Sequence, residues 1–187
     1  MADVNHNTLT DPYLHEPKNI STALAGQIYV ANGSGSGVWV ENSRIFGGYL
    51  TFSTGSPYAH SVTTSDTVLN PTFSTSVNNG FTVLSSPNAR VRYDGTETIN
   101  ASIDAAFSIQ QASGTARQVE MVLYKNGTEL VGSRVITTSD SSSWHTISFS
   151  FDTTLATNGY VEVFVKANSA ATLNFASGYL RIFGIAA

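Results

Sequence analysis

The sequence contains no cysteine among its 187 residues. A disulfide framework and a zinc site with thiolate ligands are therefore both excluded. A chain without these cross-links gains its stability by burying apolar side chains, within one subunit or between several. Hydrophobic residues make up 41% of the sequence, which is enough to build such a core.

Charged residues are also scarce, at 12% of the sequence, or about half the usual share. The formal net charge is −4, and no basic patch occurs along the chain. Because nucleic acids are held largely through their phosphates, we expect no nucleic-acid partner. Arg90 and Arg92 come closest to a basic pair. Two residues apart on a strand, they share one face, and we expect them to form local ion pairs.

Long apolar runs are absent as well. No segment approaches the roughly 18 apolar residues of a membrane-spanning helix, so we expect no membrane partner. Residues 1–13 have neither a basic start nor an apolar centre, and so they do not resemble a secretory signal. We therefore expect synthesis in a cytoplasm without passage through the secretory route.

Motifs that carry chemistry are missing. The Gly33–Gly37 run fits neither a nucleophile elbow nor a phosphate-binding or dinucleotide-binding loop. The histidines lie in separate segments without metal-ligand spacing, and the aspartates form no calcium-binding loop. We therefore expect no enzyme, no cofactor and no metal site. A carbohydrate-active enzyme is the weakest alternative, because the central strands carry few carboxylates.

Alternation of apolar and polar residues dominates from Tyr49 onward. The strongest case is Glu97–Gln110, in which alternate residues are apolar and share one face. Asn126-Gly127 between two strand-like runs predicts a hairpin, because a type I′ turn needs positive φ at both central residues. Short strands joined by polar turns predict an all-β fold, an antiparallel jelly-roll sandwich. The predicted strands are Tyr49–Ser53, Ser61–Leu69, Phe81–Leu84, Ala89–Tyr93, Glu97–Gln110, Gln118–Tyr124, Thr128–Ile136, Trp144–Asp152, Tyr160–Ala167 and Leu173–Ile185.

Bulky side chains also occur on strand faces that the alternation places outside. Phe164 lies between two charged residues, and Tyr179 and Phe183 flank Arg181. Tyr and Phe are enriched in subunit interfaces. We therefore predict a subunit interface that includes these four residues. The alternative is a second packed layer within the monomer.

The segment Asp11–Trp39 precedes this pattern and differs from it. Its prolines and glycines exclude a helix, and only Gln27–Ala31 reads as a strand. This strand could pair with the edge of a partner's sheet. We predict an extended docking arm within residues 1–47 and a jelly-roll domain over residues 48–187, with a turn at Gly47-Gly48. The predicted binding residues of the arm are Pro12, Tyr13, Leu14, His15, Pro17, Ile20, Leu24, Ile28, Tyr29, Val30 and Trp39.

The arm also carries a recognisable motif. Residues 15–19 read HEPKN, residues 26–33 read GQIYVANG, and a Gly/Ser run then leads to Trp39. This pattern resembles the N-terminal segment of small virion proteins of tailed bacteriophages, which decorate capsids or form head fibres. The sequence departs from it at Asn19 and Asn32, where Gly and Asp are usual. The body resembles the trimeric jelly rolls of the C1q and tumour-necrosis-factor type.

The resemblance implies a structural protein of the virion, made in the host cytoplasm and placed on the outer capsid surface. It implies a capsid decoration (cement) protein, a homotrimer whose arms bind the major capsid protein. The four predicted interface residues would then lie at the trimer interface. The alternative is a head-fibre or tail-fibre protein that recognises a host glycan or protein. Trp144, with Asp140 near it, is the feature of the body that supports this alternative.

Overall fold

The computed structural model describes residues 27–31, 37–41, 45–84 and 89–186. In these ranges the regular secondary structure consists of β-strands. The chain divides into two compact units, Met1–Arg44 and Ile45–Ala187, the second of which we call the body. The strands are β1 (Gln27–Ala31), β2 (Gly37–Glu41), β3 (Ile45–Val62), β4 (Thr67–Val68), β5 (Ser74–Asn79), β6 (Phe81–Leu84), β7 (Arg90–Tyr93), β8 (Ile99–Gln111), β9 (Arg117–Lys125), β10 (Thr128–Glu129), β11 (Val135–Ser139), β12 (His145–Leu155), β13 (Tyr160–Ala167) and β14 (Ala171–Ala186).

The described part of the first unit is an antiparallel hairpin of β1 and β2, in which Tyr29 lies opposite Trp39. The strand predicted over Gln27–Ala31 is therefore confirmed. It is not a lone strand, however, because β2 already occupies one of its edges.

The body is a sandwich of two antiparallel sheets. One has five strands in the order β12-β8-β14-β3-β5. The other has seven, with β10-β9-β13-β7-β6 as its main path, β11 paired to β9 and β4 paired to β13. The predicted jelly-roll sandwich is confirmed.

The core lies between the sheets and follows the alternation seen in the sequence. Along β8, buried residues alternate with exposed or half-buried ones, and every apolar residue predicted to face inward is buried. The predicted hairpin is also confirmed, since Asn126 and Gly127 have φ values of 51° and 77°. The largest fully buried side chains are Tyr93, Phe107, Phe175, Leu50, Leu69, Ile99, Ile103, Ile109, Met121, Leu123, Ile147 and Leu155.

Three predicted features are wrong. The strand predicted over Thr128–Ile136 is divided into β10 (Thr128–Glu129) and β11 (Val135–Ser139), because the chain turns between them, where Gly132 has a φ of 97°. Gly47 and Gly48 form no turn but lie within β3. A Cβ on Gly48 would come within 2.8 Å of Phe81 and Val91, so glycine is needed there for close packing. The strand predicted over Ser61–Leu69 is interrupted after Val62, because the chain there crosses from the five-stranded sheet to β4 of the other sheet.

The two ends of the body differ. At the first, which we call the proximal end, Ile185 near the end of β14 lies opposite Ile45 at the start of β3. At the opposite or distal end, the loops 112–116 and 140–144 meet. There Gln111 donates its backbone N–H to the carbonyl of Asp140 at 2.9 Å. The body begins in sequence at the proximal end.

Candidate interaction surfaces

The β1–β2 hairpin exposes an aliphatic face. Strand alternation places Ile28 and Val30 on the same side, and the register sets Val38 opposite Val30. These three side chains are 46%, 44% and 58% exposed, respectively. An exposed row of β-branched residues is what a partner's apolar surface covers in a stable complex.

The opposite side of the hairpin carries Tyr29 and Trp39, whose rings meet edge to face with centroids 5.3 Å apart. Four of the predicted arm residues thus lie in one hairpin, Ile28 and Val30 on one side and Tyr29 and Trp39 on the other. The remaining predicted arm residues lie outside the described residues: Pro12, Tyr13, Leu14, His15, Pro17, Ile20 and Leu24.

A second apolar surface is the outer face of the five-stranded sheet, the side that faces away from the core. At its proximal half, Phe183, Ile185 and Ile45 are all exposed. Tyr49 and Tyr179 lie next to each other on neighbouring strands, with ring centroids 5.9 Å apart. Tyr49, Tyr179 and Phe183, together with Asp104 and Arg181, line a shallow groove of about 690 Å³.

An ion pair crosses this groove. Arg181 on β14 donates a hydrogen bond to the carboxylate of Asp104 on β8. That bond, together with the charge of Asp104, raises the pKa of Arg181 above its usual value. Both groups are open to solvent, so the pair contributes little to the stability of the isolated chain. Its place among aromatic side chains suits it to orient a partner.

Three of the four predicted interface residues, Tyr179, Arg181 and Phe183, therefore share one surface. Phe164 does not, because β13 belongs to the seven-stranded sheet. Its ring stacks on Tyr124 within the same chain, with centroids 4.0 Å apart. Phe164 therefore lies on a different face from the other three and packs within the monomer, and its part in a subunit interface stays a prediction.

Sequence reasoning missed Ile45, Tyr49 and Ile185 in this surface. The signal that could have found Tyr49 is its strand alternation with Leu50. Ile45 was missed because Gly47-Gly48 was interpreted as a turn, which began the first predicted strand of the body at Tyr49 instead of Ile45.

The outer face of the seven-stranded sheet is charged and internally paired. Arg134 binds Asp66 with both terminal nitrogens, at 3.0 and 2.7 Å, and also meets Glu120 at 3.2 Å and Glu129 at 3.0 Å. Lys166 adds a second cation to Glu120. The hydrogen bonds from Arg134 lower the pKa of Asp66 below its usual value. This surface is consistent with a solvated, stabilising face rather than an apolar contact.

The distal loop brings together Asp140, Ser143 and His145, the residue types of a hydrolase triad. The geometry is wrong for that chemistry. His145 Nε2 lies 3.1 Å from Asp140 Oδ2 and 3.3 Å from Ser143 Oγ, so one nitrogen meets both partners. In a working triad the carboxylate holds Nδ1 and leaves Nε2 to take the serine proton. This cluster therefore cannot activate its serine.

Within 27–31, 37–41, 45–84 and 89–186, no group of three or more potential ligands converges on a possible metal position. No helix in the same ranges is long and apolar enough to cross a membrane.

No protein-family model matches the chain. No curated protein matches it either. Solved structures do match. Eiger TNF from S. frugiperda is 9% identical, with 75% of this chain and 92% of that chain covered and a TM-score of 0.55. Murine APRIL is 12% identical over 73% of this chain and 98% of that chain, with a TM-score of 0.41. The PRD1 vertex protein P5 is 12% identical over 75% and 96%, with a TM-score of 0.42. The body thus has a tumour-necrosis-factor-like jelly-roll fold, and likeness at this identity establishes the fold alone.

Proposed function

We propose that the chain is a structural protein of a bacteriophage virion, a decoration (cement) protein on the outer capsid surface. It acts as a homotrimer whose N-terminal arms bind the major capsid protein. One observation carries the proposal: the exposed large hydrophobic side chains concentrate on two surfaces. Of the nine such residues described, three lie in the β1–β2 hairpin and three at the proximal half of the outer face.

The outer face of the five-stranded sheet suits contact with copies of the same chain. It offers aromatic and aliphatic side chains around the groove, with the Arg181–Asp104 pair between them. Aromatic residues and arginine are the types that interface cores favour. Repeated around a three-fold axis, this surface would be covered in every subunit of a closed ring.

The hairpin suits a different partner. A two-stranded sheet is marginally stable in water unless something packs against it. Docking the aliphatic face on a capsid protein would supply that packing. Three hairpins on one trimer would raise the avidity by about 10²–10⁴-fold over a single arm. Catalysis plays no part in this mechanism, and the misaligned Ser143–His145–Asp140 cluster is consistent with that.

The proposal is tested by the binding of the purified trimer to capsids that lack the protein. Ile28→Asp combined with Val38→Asp places two charges on the aliphatic face of the hairpin. We expect at least a tenfold loss of capsid binding in a co-sedimentation assay, because docking this face would strip both carboxylates of their water. The matched control is Ile136→Asp, an exposed aliphatic residue on β11 of the other sheet. Undiminished binding of the double variant would show that the hairpin is not the dock.

The alternative is a head-fibre or tail-fibre protein that binds a host receptor. The number of copies in each particle distinguishes the two functions. A decoration protein covers repeated capsid positions and so is abundant, whereas a fibre is attached at a few positions. Quantitative mass spectrometry of purified virions measures this number, and a handful of copies would overturn the decoration function.

A further inference from the structure

We propose that the distal end of the body carries a binding site for neutral oligosaccharides, built around Trp144. This indole is 43% exposed, although Trp is among the residues with most to gain from burial. It immediately precedes β12, at the end of the body opposite Ile45. The flat apolar face of an indole packs against the C–H face of a sugar ring, while its N–H remains free to bond a hydroxyl.

The loop that presents Trp144 is held rigidly. Asp140 Oδ1 accepts hydrogen bonds from the backbone N–H groups of Ser142 and Ser143, at 2.8 and 3.0 Å, and from both of their hydroxyls. Gln110 anchors the same loop from β8 by donating to the carbonyl of Ser141 at 3.2 Å. A rigid loop loses little conformational entropy when a ligand binds, which favours a preformed site.

The side chains next to Trp144 on the outer face of the sheet are polar but uncharged. By strand alternation it shares the outer face with Thr146, and Thr146 lies opposite Ser108 on β8. One row further toward the distal end, Gln110 lies opposite Asn174. Hydroxyl and amide groups are the donors and acceptors that match sugar hydroxyls.

The charge of the loop selects against acidic sugars. Asp140 contributes the one carboxylate of the 140–144 loop, and its oxygens are occupied by serine and histidine partners. The hydrogen bonds from Ser142 lower the pKa of this carboxyl, so it stays negative at neutral pH. A negative group beside the indole repels sialic or uronic acids and leaves neutral chains as the favoured class.

The site lies beyond the distal edge of the surface proposed for contact between subunits. Tyr179 of that surface lies opposite Ala106, and the row of His145, opposite Ile109, is three residues further along β8. At roughly 3.3 Å per residue this is about 10 Å. A trimer built on the outer face around Phe183 and Ile185 would thus leave Trp144 available for surface polysaccharide of a host, an activity beyond capsid decoration.

The test uses the full-length protein with Trp39→Phe, which leaves Trp144 as its single tryptophan. Its fluorescence is titrated with maltohexaose, cellohexaose, mannohexaose and chitohexaose, and with hexagalacturonate as the acidic comparison. We expect a saturable change in emission with at least one neutral chain and none with the acidic one. No response to any neutral chain, or a stronger response to hexagalacturonate, would overturn the proposal.

The second arm of the test measures affinity by calorimetry with whichever chain binds. We expect Trp144→Ala to weaken binding at least tenfold, and Trp144→Phe to weaken it less, because an aromatic face remains. Ile136→Ala, which truncates a comparably exposed side chain elsewhere, should leave the affinity unchanged. Equal affinities for Trp144→Ala and the unaltered protein would place the sugar elsewhere and refute the site. The titration leaves Trp144 intact, so it decides the question even if Trp144→Ala misfolds.

Discussion

His60 is joined to both sheets through a chain of hydrogen bonds. Thr67 donates its hydroxyl to the carbonyl of Val165 at 2.9 Å, so its oxygen accepts from His60 Nε2 at 3.1 Å. His60 Nδ1 then accepts from the hydroxyl of Tyr58 at 3.3 Å. This arrangement uses the neutral imidazole with its proton on Nε2. Partial burial beside Phe175 lowers the pKa of His60 below its usual value, since burial disfavours the charged form.

The stability of the body should therefore fall as the pH is lowered through the usual histidine range. Below about pH 6.5 the unfolded chain binds a proton at this position that the folded chain resists, which favours unfolding. We expect the thermal midpoint to fall between pH 7.5 and pH 5, and His60→Gln to reduce that fall. Tyr58, whose pKa is raised by burial, and Asp66, whose pKa is lowered, both titrate outside this window. An identical pH dependence in His60→Gln would refute the argument.

Single residues also show what the sequence can and cannot predict. The local ion pairs expected for Arg90 and Arg92 are confirmed, with Glu162 at 3.1 Å and Asp94 at 2.7 Å. Glu162 itself reads as an outward-facing residue, yet it is 2% exposed. It is covered because Arg90 pairs with it and also lies over the ring of Tyr160. Such partners come together only through strand order, which alternation within one strand does not encode.

Among the elements, β14 packs closely against its surroundings. It lies between β3 and β8, and its inward positions are mostly large residues, with glycine at 178 and 184. A Cβ on Gly178 would lie 2.2 Å from Phe107 and 2.8 Å from Phe52. The alternation that predicted strands such as β8 fixes which residues face inward. It does not reveal which positions lie beneath bulky side chains, either from neighbouring strands, as at Gly178, or from the facing sheet, as at Gly48. For that reason Gly47-Gly48 was interpreted as a turn.

Gly178→Val tests this close approach. The added side chain must displace the ring of Phe107 or Phe52 on the neighbouring strands, and we expect a loss of about 1–3 kcal/mol in the free energy of unfolding. The matched control is Gly55→Ala in β3, where an added Cβ would meet nothing within 4 Å. It should change stability by less than about 0.5 kcal/mol. Urea unfolding at a fixed protein concentration measures both, and equal effects of the two substitutions would contradict the packing argument.

In the whole molecule, the surfaces differ in how far the sequence predicts them. Outward aromatic residues on β14 were visible from alternation alone, so Tyr179, Arg181 and Phe183 could be grouped. Ile45 and Tyr49 lie on the same surface because β3 pairs with β14. Phe164 lies on a different surface because β13 belongs to the other sheet. Alternation thus predicted the types of residue on this surface. It did not predict which strands contribute them, because that depends on the order of strands across the sandwich.

The proposed trimer leads to a prediction about the whole molecule. Phe183→Asp combined with Ile185→Asp would place two charges in the proposed seam, where no water remains to solvate them. We expect the trimer to dissociate into folded monomers, seen by light scattering as a threefold fall in mass with an unchanged circular dichroism spectrum. Ile136→Asp serves again as the control and should stay trimeric. If the double variant remains trimeric, the subunit interface must lie on another surface.

The position of β14 has a consequence for how the protein is made. The middle strand of the five-stranded sheet is the last strand of the body to be synthesised, and its partners β3 and β8 are made well before it. Until it arrives, both present unpaired edges that invite wrong association. A ribosome that stops before Ala171 therefore releases a chain that cannot close its sandwich. The body can therefore complete its fold only after β14 has been made.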